Sequence, residues 1–140
     1  MAHPRKTPDP VDLPQRARLT PQRLAVVEAI RRGPRSFTVA ELYDRARRQE
    51  PKLGLATVYR TLELLRRTDA IRPLAGSPRA EYVRCSPGHH HHLICLSCGT
   101  VEETELCAAP SDAELRRRHG FAPESHELDV YGTCAECRAA

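Results

Sequence analysis

Two Cys-x-x-Cys pairs, Cys95-x-x-Cys98 and Cys134-x-x-Cys137, stand 35 residues apart in the second half of the chain, and they restrict what that half can become. One tight turn presents two sulfurs at once, and two such turns brought together close a tetrahedral four-cysteine shell around Zn2+. A closed shell leaves no open coordination position, so it staples a domain rather than catalysing. Four free structural thiols are the alternative. A staple is useful here because 140 residues include four Tyr, two Phe and no Trp, leaving few aromatic side chains to build a core. No apolar run approaches the ~18 residues of a membrane span, and the N-terminus is polar and proline-rich without a secretory apolar stretch. The chain therefore reads as cytoplasmic, a compartment in which cysteines beside histidines are metal ligands rather than disulfides.

Charge and metal chemistry divide the chain at the same place. Residues 1–84 carry 18 Lys and Arg against 9 Asp and Glu, whereas residues 85–140 carry 4 against 9. All six Cys and six of the seven His lie at or beyond position 85. This asymmetry predicts one half that meets a polyanion and another that holds metal. We expect a flexible basic, proline-rich arm over 1–14, a DNA-binding domain over 15–84 and a metal-binding domain over 85–140.

The basic half reads as three helices and a hairpin. Thr20 is an N-cap followed by Pro21, and Leu24, Val27 and Ile30 repeat at helical spacing up to Gly33-Pro34. Thr38 with Glu41 makes a capping box for a second helix, marked by Leu42 and Ala46 and closed by Pro51. In the third, over 54–71, Leu55, Val58, Leu62 and Leu65 share one stripe. Ala56, Thr57, Arg60, Glu63 and Arg67 lie opposite, with Tyr59 at the edge. That face has base-reading chemistry: Arg pairs bidentately with guanine, and a Thr methyl or Tyr ring meets the thymine methyl. A solvated amphipathic helix is the alternative. Short strands at 71–73 and 80–83 flank a turn over 75–78, which completes the order of a winged helix-turn-helix.

His89, His90, His91 and His92 precede the first Cys pair and run into an apolar strand. In an extended chain side chains alternate, so His90 and His92 share one face while His89 and His91 share the other. One tetrapeptide can thus serve two metal sites, with Cys85, Glu103 and His126 as further donors. A solvated histidine loop is the alternative. Cys107 falls outside this scheme as a spectator thiol, and His119 sits where it suits a helix dipole. A zinc enzyme is a rival reading, but HExxH is absent and so is the paired HxE and PCxxC pattern of zinc deaminases. A zinc-ribbon adaptor that binds protein alone is a third.

Together LTPQR at 19–23, GLATVYRTL at 54–62, HHHHLICLSCG at 89–99, RHGF at 118–121 and SHELDVYGTCAEC at 125–137 resemble the ferric uptake regulator family of bacterial metal-sensing repressors. The resemblance covers nearly the whole chain. It implies an α+β chain, with a winged helix for operator DNA followed by a small α/β zinc-containing domain that forms a homodimer. It further implies a regulator, not an enzyme, that represses metal-uptake genes when metal-loaded.

By position, the resemblance implies a structural zinc site at Cys95, Cys98, Cys134 and Cys137. It implies base contacts from Tyr59 and Arg60 and a minor-groove contact from Arg18, to which the helix pattern adds Thr57. A regulatory site follows at Cys85, His90 and His92. Cys85 is similar to a cysteine of the zinc-sensing members, and a thiolate favours Zn2+ over Fe2+ or Mn2+. Where those members place an Asp this chain has Arg72, which cannot ligate a cation. Glu103 is the preferred substitute, ahead of Glu81 and Asp69. A third site would recruit His89, His91 and His126, with Asp112 in place of an acidic residue that aligns near Ala109. Iron, manganese or peroxide sensing are the alternatives within the family.

Overall fold

The computed structural model describes residues 11–77 and 79–140. Most of the expected arm and Pro78 of the expected turn lie outside the described residues. Backbone contacts divide the chain into two compact units, the first running to Pro87 and the second spanning Gly88–Ala140.

The first unit begins with α1 (Pro21–Arg32), capped by Thr20, whose hydroxyl accepts from the Arg23 N–H at 3.2 Å. Gly33 stops it, donating its N–H to the Ala29 carbonyl; a Cβ at this position would come within 2.8 Å of that oxygen and of the Arg45 guanidinium. The two-residue strand β1 (Ser36–Phe37) leads to α2 (Val39–Arg47). Its capping box is complete: Thr38 accepts from the Glu41 N–H, and the Glu41 carboxylate accepts from the Thr38 N–H. This satisfies two helix-end donors reciprocally. After Gly54, α3 (Leu55–Arg67) carries the segment with base-reading chemistry. Then β2 (Ile71–Pro73) and β3 (Tyr82–Arg84) form an antiparallel sheet with β1, in the order β1-β3-β2. Helices and sheet together make a winged helix-turn-helix.

Val26, Ile30, Phe37, Leu42, Val58, Leu62, Leu65 and Ile71 fill its core. The core also takes in Val11, fully buried, while Asp12 pairs with Arg31, so the last residues of the expected arm are anchored. Two residues depart from the expected stripes. Leu24 is 49 % exposed, because Ala25, Val26, Val27, Ala29 and Ile30 set a buried stripe centred on the opposite side of the helix. Leu55 is 45 % exposed, and Thr61 is buried in the α3 stripe instead. Burial of that hydroxyl is affordable because it donates to the Thr57 carbonyl at 2.7 Å.

The second unit is built on β4 (His91–Cys95), which pairs antiparallel with β5 (Val101–Thr104) and parallel with β6 (Asp129–Gly132). Between β5 and β6 lies α4 (Asp112–His119), capped by Ser111 and ended by Gly120 at φ 63°, a left-handed conformation suited to glycine. A last helix, α5 (Ala135–Ala139), follows Cys134. Among the described residues of this unit, only His91, His92, Ile94 and Cys95 are buried. Apolar packing therefore contributes little to holding it together. No helix among the described residues is long and apolar enough to cross a membrane.

Candidate metal centres and nucleic-acid interface

The two ends of β4 carry different chemistry. At its C-terminal end the parallel ladder sets Cys95 opposite Gly132, two residues before Cys134, so strand pairing brings the two Cys-x-x-Cys turns together. Gly99, at φ 76°, closes the first turn, its N–H donating to the Cys95 carbonyl at 2.9 Å. The second turn is the start of α5, where Cys134 caps the helix and Cys137 lies one turn on. The ligand atoms of Cys95, Cys98, Cys134 and Cys137 all lie within 4.8 Å of one another, and all four cysteines are free thiols.

The spacing of these sulfurs fits zinc. Tetrahedral Zn–S bonds of about 2.3 Å place sulfurs roughly 3.8 Å apart, whereas a disulfide needs about 2.05 Å. Cys98 Sγ and Cys134 Sγ are 3.8 Å apart. The Cys134 N–H, then that of Cys98, lowers the Cys95 thiol to about 6, and Thr100 lowers Cys98. Hydrogen bonding with Cys134 and then Cys98 pushes Cys137 up to about 12. Without a cation such crowded sulfurs cannot all ionise; a divalent ion reverses that and is what this donor set suits.

At the other end of β4 the histidine rings separate as alternation predicts. The His90 and His92 rings are 5.0 Å apart, and the His89 and His91 rings are 4.6 Å apart. Register places His92 between Glu103 of β5 and Asp129 of β6. Glu103 Oε1 lies 3.8 Å from His90 Nε2 and 3.9 Å from His92 Nε2. The other ring nitrogens are engaged elsewhere: His90 Nδ1 is 2.9 Å from the Gly88 carbonyl and His92 Nδ1 is 3.3 Å from Asp129 Oδ1. Partners of this kind fix ring orientation and tautomer and leave Nε2 for a metal. Asp129 is a member of this arrangement that spacing alone missed. Cys85, buried, follows β3 in the first unit, its N–H donating to the Ala70 carbonyl at 3.0 Å.

The His89–His91 pair is joined by His126, whose ring lies 4.7 Å from that of His89 and 5.1 Å from that of His91. Asp112, in the first turn of α4, does not join this group. Cys107 does: its Sγ is 3.3 Å from His126 Nε2, so it is no spectator in position.

In the first unit, Arg18, Thr57 and Arg60 line one open cleft of about 560 Å³ between the start of α1 and the start of α3. Arg23 and Lys52 also line it, giving four cations against the single carboxylate of Glu50. Gln22 ties the walls together, donating to the Lys52 carbonyl at 3.2 Å and accepting from the Thr57 hydroxyl at 3.3 Å. Gln22 was not singled out from the sequence, where it is one residue of LTPQR. Tyr59 lies on the same helix, 52 % exposed. The cleft suits a polyanion, with phosphate-seeking charge beside a base-reading helix face.

Comparison with known proteins agrees with this arrangement. The chain is 37 % identical over 124 residues to a zinc uptake regulation protein of Mycobacterium tuberculosis, covering 87 % of this chain and 95 % of the relative. It is 36 % identical over 126 residues to a ferric uptake regulation protein of Bacillus subtilis, covering 86 % and 85 %. Among solved structures it is similar to a zinc uptake regulator complexed with zinc and DNA, with a TM-score of 0.66, 28 % identity, and 89 % and 86 % of the two chains covered. The ferric uptake regulator family itself matches residues 15–131. With a winged helix that bears a basic cleft and a second unit that gathers thiols and imidazoles, the chain belongs to the ferric uptake regulator family, whose members are transcription regulators and not enzymes.

Proposed function

We propose that this protein is a zinc-responsive repressor, acting in the cytoplasm, that binds operator DNA as a metal-loaded homodimer and turns down metal-uptake genes. The observation that carries the metal reading is the orientation of His90 and His92: both Nε2 atoms face Glu103 while both Nδ1 atoms are occupied by other oxygens. Cys85 completes the set in this proposal, and its thiolate is the reason for preferring Zn2+. The zinc uptake regulation protein of M. tuberculosis supports the same choice. Glu103, as an oxygen donor, is the feature that speaks for Fe2+ or Mn2+.

A divalent cation supplies a positive centre that thiolate, imidazole and carboxylate can share. Cys85 follows the wing and His90 lies near the start of the second unit, with only Ser86–His89 between them. Engaging both residues removes freedom from that connection. In a homodimer, fewer arrangements of the two α3 helices are then accessible, and half-sites about 34–36 Å apart accept only some of them. Leu93 of β4 and Val130 of β6, in register and exposed on one sheet, offer apolar surface for the dimer contact. Cys95, Cys98, Cys134 and Cys137 hold the structural Zn2+ in this proposal, and Arg18, Thr57, Tyr59 and Arg60 meet DNA.

The experiment selects duplexes from random sequence with the zinc-loaded protein, then measures binding with Zn2+, Fe2+ and Mn2+ supplied separately. Zinc should tighten binding most, and by linkage the selected duplex should tighten zinc binding by the same factor. Equal DNA affinity with the Cys85, His90 and His92 site empty or full overturns the proposal.

A further inference from the structure

The topology of the second unit brings three chain segments to the N-terminal end of β4. His89 and His91 stand on one side of that end. Because β5 runs antiparallel, it finishes there, with Thr104 opposite His91 and Cys107 three residues on. Because β6 runs parallel, it begins there, and the Leu128 carbonyl just before it accepts from the His92 N–H. His126 precedes that contact by two residues. The ligand atoms of His89, His91, Cys107 and His126 thus all lie within 4.8 Å of one another, although three separate segments supply them.

We propose that Cys107 is the fourth donor of a thiolate and three-imidazole site for one divalent cation of the zinc class. Tetrahedral bonds of about 2.1 Å to nitrogen and 2.3 Å to sulfur set donors roughly 3.4–3.8 Å apart. Cys107 Sγ lies 3.3 Å from His126 Nε2, close to that edge length before any ligand movement. The family likeness calls for an acidic residue in this role, and Asp112 is the local candidate, yet the segment after β5 delivers a sulfur there instead. That exchange has a chemical consequence. Replacing a hard oxygen by a soft sulfur moves the site's preference from manganese and iron toward zinc.

Cobalt(II) is a suitable probe, because a bound thiolate gives it a sulfur-to-metal charge-transfer band that imidazole does not. The full chain is prepared with Cys85→Ser and His90→Ala to silence the neighbouring site, keeping zinc in the four-cysteine site, and is titrated with cobalt(II). One further cobalt per protomer should bind with a charge-transfer band. Adding Cys107→Ser should abolish the band, and Cys107→Asp should keep the metal without the band and gain manganese affinity relative to zinc. No further cobalt bound by a background that circular dichroism shows to be folded overturns the proposal, and so does a band that survives Cys107→Ser. Cys107→Ser alone, in the otherwise unaltered chain, gives an independent reading: charge-transfer intensity should fall by one thiolate's share, and unchanged intensity also overturns it. Operator binding plays no part in these measurements, so their failure and that of the repressor proposal are distinguishable.

Discussion

His92 Nδ1 stands 3.3 Å from Asp129 Oδ1, across a parallel ladder in which these two residues are register partners. The carboxylate comes from a strand 37 residues further along the chain and fixes which ring nitrogen is left for a metal. Asp129→Asn keeps the shape but removes the charge. We expect affinity at the His90 and His92 site to fall by about 10–100-fold, the usual cost of losing such a partner. Competition against a fluorescent chelator measures it, with zinc in the four-cysteine site retained as the internal control.

Removing a sulfur from the other end of β4 should have a larger effect. The second unit buries few side chains among its described residues, so zinc held as proposed would carry much of its stability, being worth about 10–16 kcal/mol of apparent binding free energy in small domains. Cys98→Ser should release zinc and unfold this unit, collapsing amide-exchange protection from β4 to α5. The helices α1 to α3 have their own core and should keep theirs. Uniform protection across the variant would count against a structural role for the site.

In the basic cleft, two cations should behave differently. Arg60 lies on the exposed face of α3, and Arg60→Ala should cost about 1–3 kcal/mol on the selected duplex while relaxing preference at one base pair. Lys52, at the cleft wall, carries a charge suited to phosphate; Lys52→Ala should weaken all sequences alike and reduce the salt slope by about one. Affinity measured across a salt series for both variants separates the two roles.

The capping box of α2 gives a pH signature. The Thr38 backbone N–H first, and then Arg79, hold the Glu41 carboxyl below its usual value of 4.5. The folded state therefore binds this proton less readily than the unfolded chain. Glu41 contributes stability above the usual glutamate value, and that contribution fades as pH falls through the lower folded one. Glu41→Gln keeps an acceptor for the box but loses a charge that is 44 % exposed and screened by solvent, so it should be less stable than the parent by only about 0.2–1 kcal/mol at neutral pH. The gap should narrow in acid, as urea unfolding at several pH values would show.

How far these features can be read from residues alone depends on whether the signal is local. Thr20 and Thr38 each cap a helix, and the caps were readable because capping needs only neighbours within four positions. The histidine alternation was readable because an extended backbone imposes a period of two. Thr61 in the core was not, since its burial depends on a hydrogen bond to its own helix and on which face the first unit closes over. β1 is too short to leave a periodic pattern. Asp129 and Cys107 escaped for a different reason: their roles come from strand pairing, and a parallel partner 37 positions away leaves no trace in local spacing. For Cys107, the family likeness pointed to an acidic residue near the capped helix that follows, whereas the segment after Thr104 is what delivers the sulfur.

Because β4 presents imidazoles at one end and Cys95 at the other, its alignment with β5 and β6 is checked twice. A slip by a single position would turn each histidine to the opposite side, swapping the pairs, and would withdraw Cys95 from its three companions. Short strands with so little apolar cover have weak means of rejecting such errors. Ions held as proposed would themselves act as proofreaders, since only the correct alignment satisfies both ends at once.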